Sequence, residues 1–314
     1  NLEEVEITTK GGNENVKSTQ MGVVQLDMNE IKKIPAFMGE VDILKTIQLL
    51  PGIKNAGDGN TGFYVRGGGP DQNLILLDEA NVYNPSHLLG FFSVFNGDAI
   101  KNVNLFKGNM PAQYGGRLSS VLDISTKDGN NQNFEVSGGI GVIASRLTIQ
   151  GPIIKNKCSF IVSARRTYVD VVAKPWIEKS DFKGTSYFFY DLNGKINYIV
   201  NDKNRLYLSG YFGRDKFVYS DNESGFSTKI PWGNASACLR WNHVYNNKLF
   251  SNVSELFTNY DFSFGGKQQD FEAIVQSGIT DYTLKYDFSY FPNSRHTIKT
   301  GINYIFHTFM PTSV

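Results

Sequence analysis

The residues that could do chemistry are few. Gly139-Ile140-Gly141-Val142-Ile143-Ala144 fits the dinucleotide pattern G-x-G-x-x-A, but that chemistry needs a helix next, with the phosphate at its N-terminus. Ser145–Ile149 instead alternates as a strand does, so this stretch is expected to be the tip of a Gly-rich hairpin. No G-x-S-x-G nucleophile elbow accompanies the Ser, His and Asp residues. Cys158 and Cys238 lack a metal-ligand spacing, and the 4 histidines are scattered, so neither a metal nor a cofactor is expected. No catalytic residue is assigned, and the chain is read as a non-enzyme. Lys+Arg 31 against Asp+Glu 30 leaves a net charge of +1, which gives no electrostatic case for nucleic acid. One stretch remains as a binding candidate. Asn81–Phe95 reads as a loop carrying Tyr83, His87, Phe91 and Phe92, amphipathic rings that either contact a ligand or pack against a neighbouring wall.

Two zones of the chain must position that loop. Beyond about residue 130, alternating runs come in a regular beat, with strands expected at 134–142, 145–152, 157–170, 187–200, 204–219, 234–245, 248–263, 279–291 and 296–309. In Thr280–Tyr290, one parity carries Tyr282, Leu284, Tyr286, Phe288 and Tyr290. The other carries Asp281, Thr283, Lys285, Asp287 and Ser289. Such period-2 patterning makes a strand with one apolar and one polar face. Tight turns at 154–157, 201–204, 245–248 and 292–295 alternate with longer links at about 171–186, 220–233 and 264–278. Long two-faced strands with alternating short and long connections describe an outer-membrane barrel better than a soluble sandwich. No apolar run of ~18 residues is present to form a membrane helix, which leaves a barrel open. No signal peptide opens the sequence, so it is either mature or starts inside a longer precursor.

The first zone reads as a small α+β domain. Ile43–Leu50 has helical spacing and stops at Pro51-Gly52. Phe63–Arg66, Leu74–Leu77, Ile100–Phe106 and Val121–Ser125 read as strands, and wholly apolar Leu74–Leu77 is expected to be covered on both faces.

The order of its motifs resembles the plug of TonB-dependent outer-membrane receptors. Leu49-Leu50-Pro51-Gly52-Ile53 is followed by Tyr64-Val65-Arg66-Gly67 and Asn73-Leu74-Ile75-Leu76-Leu77-Asp78. Ile100-Lys101-Asn102-Val103, Lys107-Gly108, Tyr114-Gly115-Gly116-Arg117 and Val121–Lys127 complete it. Gly67 to Asp78, with Glu79 where many members have Gly, looks like the Bacteroidetes-type branch, some members of which carry a small domain upstream. Leu2–Thr8 resembles the TonB box, with Glu4, Val5, Glu6, Ile7 and Thr8 as a donor strand for a partner's sheet edge; the alternative is a first strand of the plug.

The resemblance implies an α+β plug followed by transmembrane antiparallel β-barrel strands. The divisions expected are 1–20 for the box-like segment, 21–130 for the plug and 131–314 for the barrel. A lumen wide enough for a plug takes roughly 20 or more strands, the resemblance implies 22, and about nine are legible, so the chain is expected to be a piece of a larger barrel. The implied partners are TonB, outer-membrane lipid and a small scarce nutrient (siderophore, cobalamin, peptide or glycan), imported across the outer membrane. A passive channel or adhesin barrel and a TonB-coupled signalling receptor are the rival functions. Arg66 and Arg117 either pair with inward wall acids such as Asp281 or Asp287 or stand as solvated charges.

Overall fold

The computed structural model describes residues 22–32, 34, 40–57, 60–180, 183–221 and 223–313. The box-like residues Glu4–Thr8 lie outside that range.

The first sheet is built from β1 (Val23–Asp27), β4 (Asn73–Leu77), β5 (Ala80–Asn81), β8 (Ile100–Phe106) and β9 (Ser120–Thr126), in the order β1-β8-β9-β4-β5. β4 runs parallel to β9 and the other neighbours are antiparallel. Parallel strands are usually covered on both faces, and β4 obeys. Ile75 and Leu77 join a core with Ile43, Leu44, Ile47, Ile100, Val103 and Leu122, while Leu76 packs on the opposite face with Phe106 and Val121. After the one-turn α1 (Met28–Ile31), α2 (Ile43–Gln48) begins where Asp42 accepts a bond from the Lys45 amide at 3.1 Å. That is the usual N-cap role of Asp.

Two hairpins complete this domain, β2 (Ile53–Asn55) with β3 (Phe63–Val65) and β6 (Ser86–His87) with β7 (Phe92–Ser93). Val65 and Gly68 exchange backbone bonds around Arg66 and Gly67, which have φ of +50° and +91°. A two-residue turn with positive φ at both positions matches the twist of its strands and favours glycine.

The second sheet is a nine-stranded antiparallel meander. It comprises β10 (Glu135–Ile140), β11 (Ala144–Ile154), β12 (Cys158–Thr167), β13 (Ser186–Asn201), β14 (Asn204–Asp221), β15 (Phe226–Asn246), β16 (Leu249–Gln268), β17 (Phe271–Asn293) and β18 (His296–Ser313). The Gly139–Ala144 segment is a hairpin tip, with Ile140 paired to Ser145.

Two expected links are not loops. Residues 220–233 and 264–278 are mostly strand, because neighbouring ladders hold them: Tyr219 pairs with Thr228 and Ser227 with Lys267. Pro231, which looks like a breaker, falls where the β15–β16 ladder lapses between Lys229 and Trp232, so its missing N–H costs no bond. Residues 168–180 and 183–185 lie outside the strands, and they carry two single-turn helices, α3 (Val169–Val172) and α4 (Lys174–Ile177).

The wall is inside out relative to a soluble sheet. On β13 and β14, Asp191, Asn193, Lys195, Asn197, Ser209 and Tyr211 are buried toward the first domain. Leu192, Ile196, Tyr198, Leu208 and Phe212, on the other parity, are exposed. β17 repeats this, with Asp281 buried and Tyr282, Leu284 and Tyr290 exposed. Water does not favour this arrangement, whereas hydrocarbon does.

Candidate functional site

The first domain seats against the inner face of the wall, and the seam between them concentrates the chain's buried charge. At its top lies the β6–β7 hairpin. His87, 1% exposed, stacks on Phe189 of β13 at 4.0 Å with 5° between the rings. Its Nδ1 is 2.6 Å from Asp215 Oδ2, and its Nε2 is 3.4 Å from Asp191 Oδ2. The Leu88 amide donates to Asp215 at 3.0 Å and to the Tyr187 oxygen at 2.7 Å, while the Tyr187 hydroxyl donates to Asp215. Arg165 of β12 ties the cluster together, reaching Asp191 at 2.7 Å, Glu40 at 3.5 Å and the Ser93 carbonyl at 2.8 Å. Burial alone would lower the His87 pKa, but Asp215 and Asp191 outweigh it and raise it.

A second node surrounds Asp281 of β17. It accepts from the Tyr83 hydroxyl and from Asn81, and lies 2.7 Å from His307 of β18. Burial and this carboxylate push the Tyr83 hydroxyl up.

The third node is the turn between β4 and β5, where Asp78 and Glu79 both take positive φ, +46° and +73°. Asp78 accepts from the Thr126 amide at 3.0 Å and from its hydroxyl, and pairs with Lys195 at 3.4 Å. Glu79 is held by Arg240 at 3.0 Å, Lys285 at 3.2 Å and the Ser254 hydroxyl at 3.2 Å. Burial would raise the Glu79 carboxyl, yet Lys285 and Arg240 hold it below the usual carboxylate range. Lys195 also bonds Asp128 at 3.1 Å, where the chain crosses from plug to wall. The next residue, Gly129, has φ +79° and lies so close to the Phe160 carbonyl that a Cβ would collide with it.

Of the residues singled out from sequence, the plug motifs gather at one corner of the first domain. Lys107 donates to the Pro51 carbonyl at 2.9 Å, the Arg66 amide to the Gly52 carbonyl at 3.2 Å, and the Arg66 guanidinium lies beside Gly108. Tyr114 packs on Phe106 at 5.2 Å and bonds Asp123 at 3.1 Å. Arg117, next to Gly115-Gly116, bonds the Gly116 carbonyl at 3.0 Å. Neither arginine reaches the wall acids, since Asp281 takes the partners above and Asp287 takes Lys285 at 3.0 Å; both arginine side chains are exposed. Among the loop aromatics, Tyr83, His87 and Phe92 sit in the seam, and Phe91 is 44% exposed at the apex. Arg165, Asp191, Asp215, Lys195, Arg240 and Glu40 were not singled out by motif. The barrel members of this set occupy the polar parity of their strands, which is the signal that marks them.

Residues 15–121 match the TonB-dependent Receptor Plug Domain family. No curated protein matches the chain. Among solved structures, the chain is similar to the siderophore receptor PirA from Acinetobacter baumannii, with TM-score 0.66, 16% identity, 96% of this chain covered and 50% of that one. It is similar to the outer membrane transporter YddB from Escherichia coli, with TM-score 0.66, 12% identity and coverage of 91% and 48%. The ferric-catecholate import receptor Fiu from E. coli K12 gives TM-score 0.66, 14% identity and coverage of 94% and 50%. The chain therefore spans about half the length of these structures. Its fold is a plug followed by part of the wall of an outer-membrane, TonB-receptor-type barrel.

Proposed function

We propose that the chain is the plug and leading wall strands of a TonB-dependent receptor that actively imports a small scarce nutrient across the outer membrane. The observation that carries this is the seam: a domain matching the receptor plug meets the polar inner face of an inside-out wall through buried pairs that join the two, Glu40 with Arg165, His87 with Asp215 and Asp78 with Lys195. A passive pore gains nothing from a folded domain anchored in its lumen. The nutrient would be met between the wall and the plug apex, where Phe91 is exposed, with Tyr83, His87 and Phe92 behind it transmitting rather than touching. The cargo would be a siderophore, cobalamin, peptide or glycan. The Gly67–Glu79 stretch supports a Bacteroidetes-type member. Glu4–Thr8 would be the coupling segment that TonB grips, and the receptor itself would break no bonds.

The test is titration of the purified TonB C-terminal domain with a peptide spanning Asn1–Lys10 and its Val5→Pro variant, since proline removes a strand donor. Micromolar binding lost in the variant is expected. No binding by the parent peptide would remove Glu4–Thr8 as the coupling segment.

A further inference from the structure

His87 is followed at once by a tight turn, Leu88–Gly90, in which Leu88 and Leu89 take φ of +49° and +52°. Bulky L-residues occupy that region only against a steric penalty, so the turn persists because surrounding contacts impose it. The tip is open, with Leu89 67% exposed and Phe91 44%, while Leu88 packs at the edge of the Phe92–Phe189–Trp232 cluster and the Thr61 amide donates to the Gly90 carbonyl at 2.6 Å. The polar contacts that reach the apex from the wall converge on His87 and Asp215. The Leu88 amide bonds Asp215 and Tyr187, the imidazole bonds Asp215 and lies flat on Phe189, and His87 pairs with Phe92 across the hairpin.

The geometry identifies the protonation state that fits this place. Both ring nitrogens face carboxylate oxygens, Asp215 at 2.6 Å and Asp191 at 3.4 Å. Nδ1 is at hydrogen-bond distance from Asp215, whereas Nε2 has no hydrogen-bond partner and meets Asp191 only as a charge; a neutral imidazole would leave a lone pair beside one carboxylate, while imidazolium is attracted by both. The charged and titratable groups facing it are Asp215 and Tyr211 from β14, Asp191 and Tyr187 from β13, and Arg165 from β12. On the plug side, Glu40 meets Arg165, Asp42 accepts from the Ser93 amide, and Lys45 lies over Phe92. Arg165 is committed to Asp191 and Glu40, so Asp215 has His87 as its cation.

We propose that His87 is a proton-dependent latch: its imidazolium, bridging Asp215 and Asp191 of the wall, pins the strained Leu88–Phe91 apex of the plug, and loss of the proton frees it. The sign follows from the raised His87 value. The latch is fully present below about pH 6.5, the unfolded value, and is lost as pH rises through the higher folded value. It rests on the seating of the plug and stands whether or not the chain imports anything.

Hydrogen exchange of the intact protein in detergent micelles tests this, read at the amides of residues 88–93 from pH 5 to 9.5 and corrected for intrinsic rates. Protection is expected to hold to about pH 6.5 and then fall by about tenfold or more with a one-proton midpoint. In His87→Gln the profile is expected to be flat at the unprotected level. In Asp191→Asn, which leaves Asp215 in place, the midpoint is expected to move down. A flat wild-type profile overturns the latch, as does the same midpoint in His87→Gln. If His87→Gln fails to fold, an unmoved midpoint in Asp191→Asn overturns it.

Discussion

At the scale of single residues, Glu79 shows how the seam stores stability. Its backbone is in a region that suits glycine, and its carboxylate is the counter-charge of both Arg240 and Lys285. Removing one partner of a fully buried ion pair costs roughly 3–5 kcal/mol, and of an exposed one at most about 1. Glu79, Arg240 and Lys285 are partly buried and Lys285 keeps Asp287, so Glu79→Gln is expected to destabilise the seated plug by about 1–2 kcal/mol at pH 7. Chemical unfolding followed by exchange at plug amides measures it. Because the Glu79 pKa is depressed, its contribution is present above about pH 4.5 and lost as pH falls through the folded value. Wild type and Glu79→Gln are therefore expected to converge in acid. A difference that stays constant to pH 3 would place the effect elsewhere than in this carboxylate.

At the scale of elements, turns and strands were legible to different degrees. Alternation in Thr280–Tyr290 announced both a strand and its two faces, because period 2 is written in the side chains themselves. Residues 220–233 and 264–278 misled because Gly225, Pro231, Gly265 and Gly266 are local breakers, while what keeps them extended is pairing with neighbouring strands, such as Lys229 with Gly265. The one-turn helices α3 and α4 are too short to show a helical period. In the Asn81–Phe95 loop the aromatics could be picked out but not their partners, since His87 meets an aspartate 128 residues away. The Arg66-Gly67 turn was marked by composition, and its reason is geometric. Gly67 has φ +91°, and a methyl group placed on its Cα would meet nothing within 4 Å. Gly67→Ala is therefore expected to cost about 1–2 kcal/mol through backbone strain alone, read as a lowered unfolding midpoint. A neutral result would mean that the turn relaxes to another geometry.

At the scale of the whole molecule, the wall's outer face is organised by depth. Tyr198, Trp241, Tyr245, Tyr286 and Tyr290 ring the short-turn end, all exposed, with Tyr245 and Tyr286 hydroxyls 3.3 Å apart. Phe188, Tyr190 and Phe212 stand toward the other end. Phe188 and Tyr198 are separated by roughly 33 Å along β13 and so by roughly 23 Å in height at a ~45° tilt, close to the ~25 Å apolar band of outer-membrane barrels. Trp241 is 43% exposed on this face and Trp232, on the same strand, is 3% exposed toward the lumen. Single-tryptophan variants in brominated lipid are expected to show strong quenching of Trp241 and little of Trp232; equal quenching would contradict the facing of β15.

The strand order of the plug carries a mechanical meaning. β1 is the sheet's edge, antiparallel to β8 with Val23 opposite Phe106, whereas β4 is interior and parallel to β9. Tension applied ahead of Val23 meets β1 first and opens its bonds to β8 one after another, as a zip opens. Extracting β4 means sliding it against β9, so that several bonds must yield together. The domain thus has a tear line, and a tug on its leading end would peel one strand long before it threatened the fold.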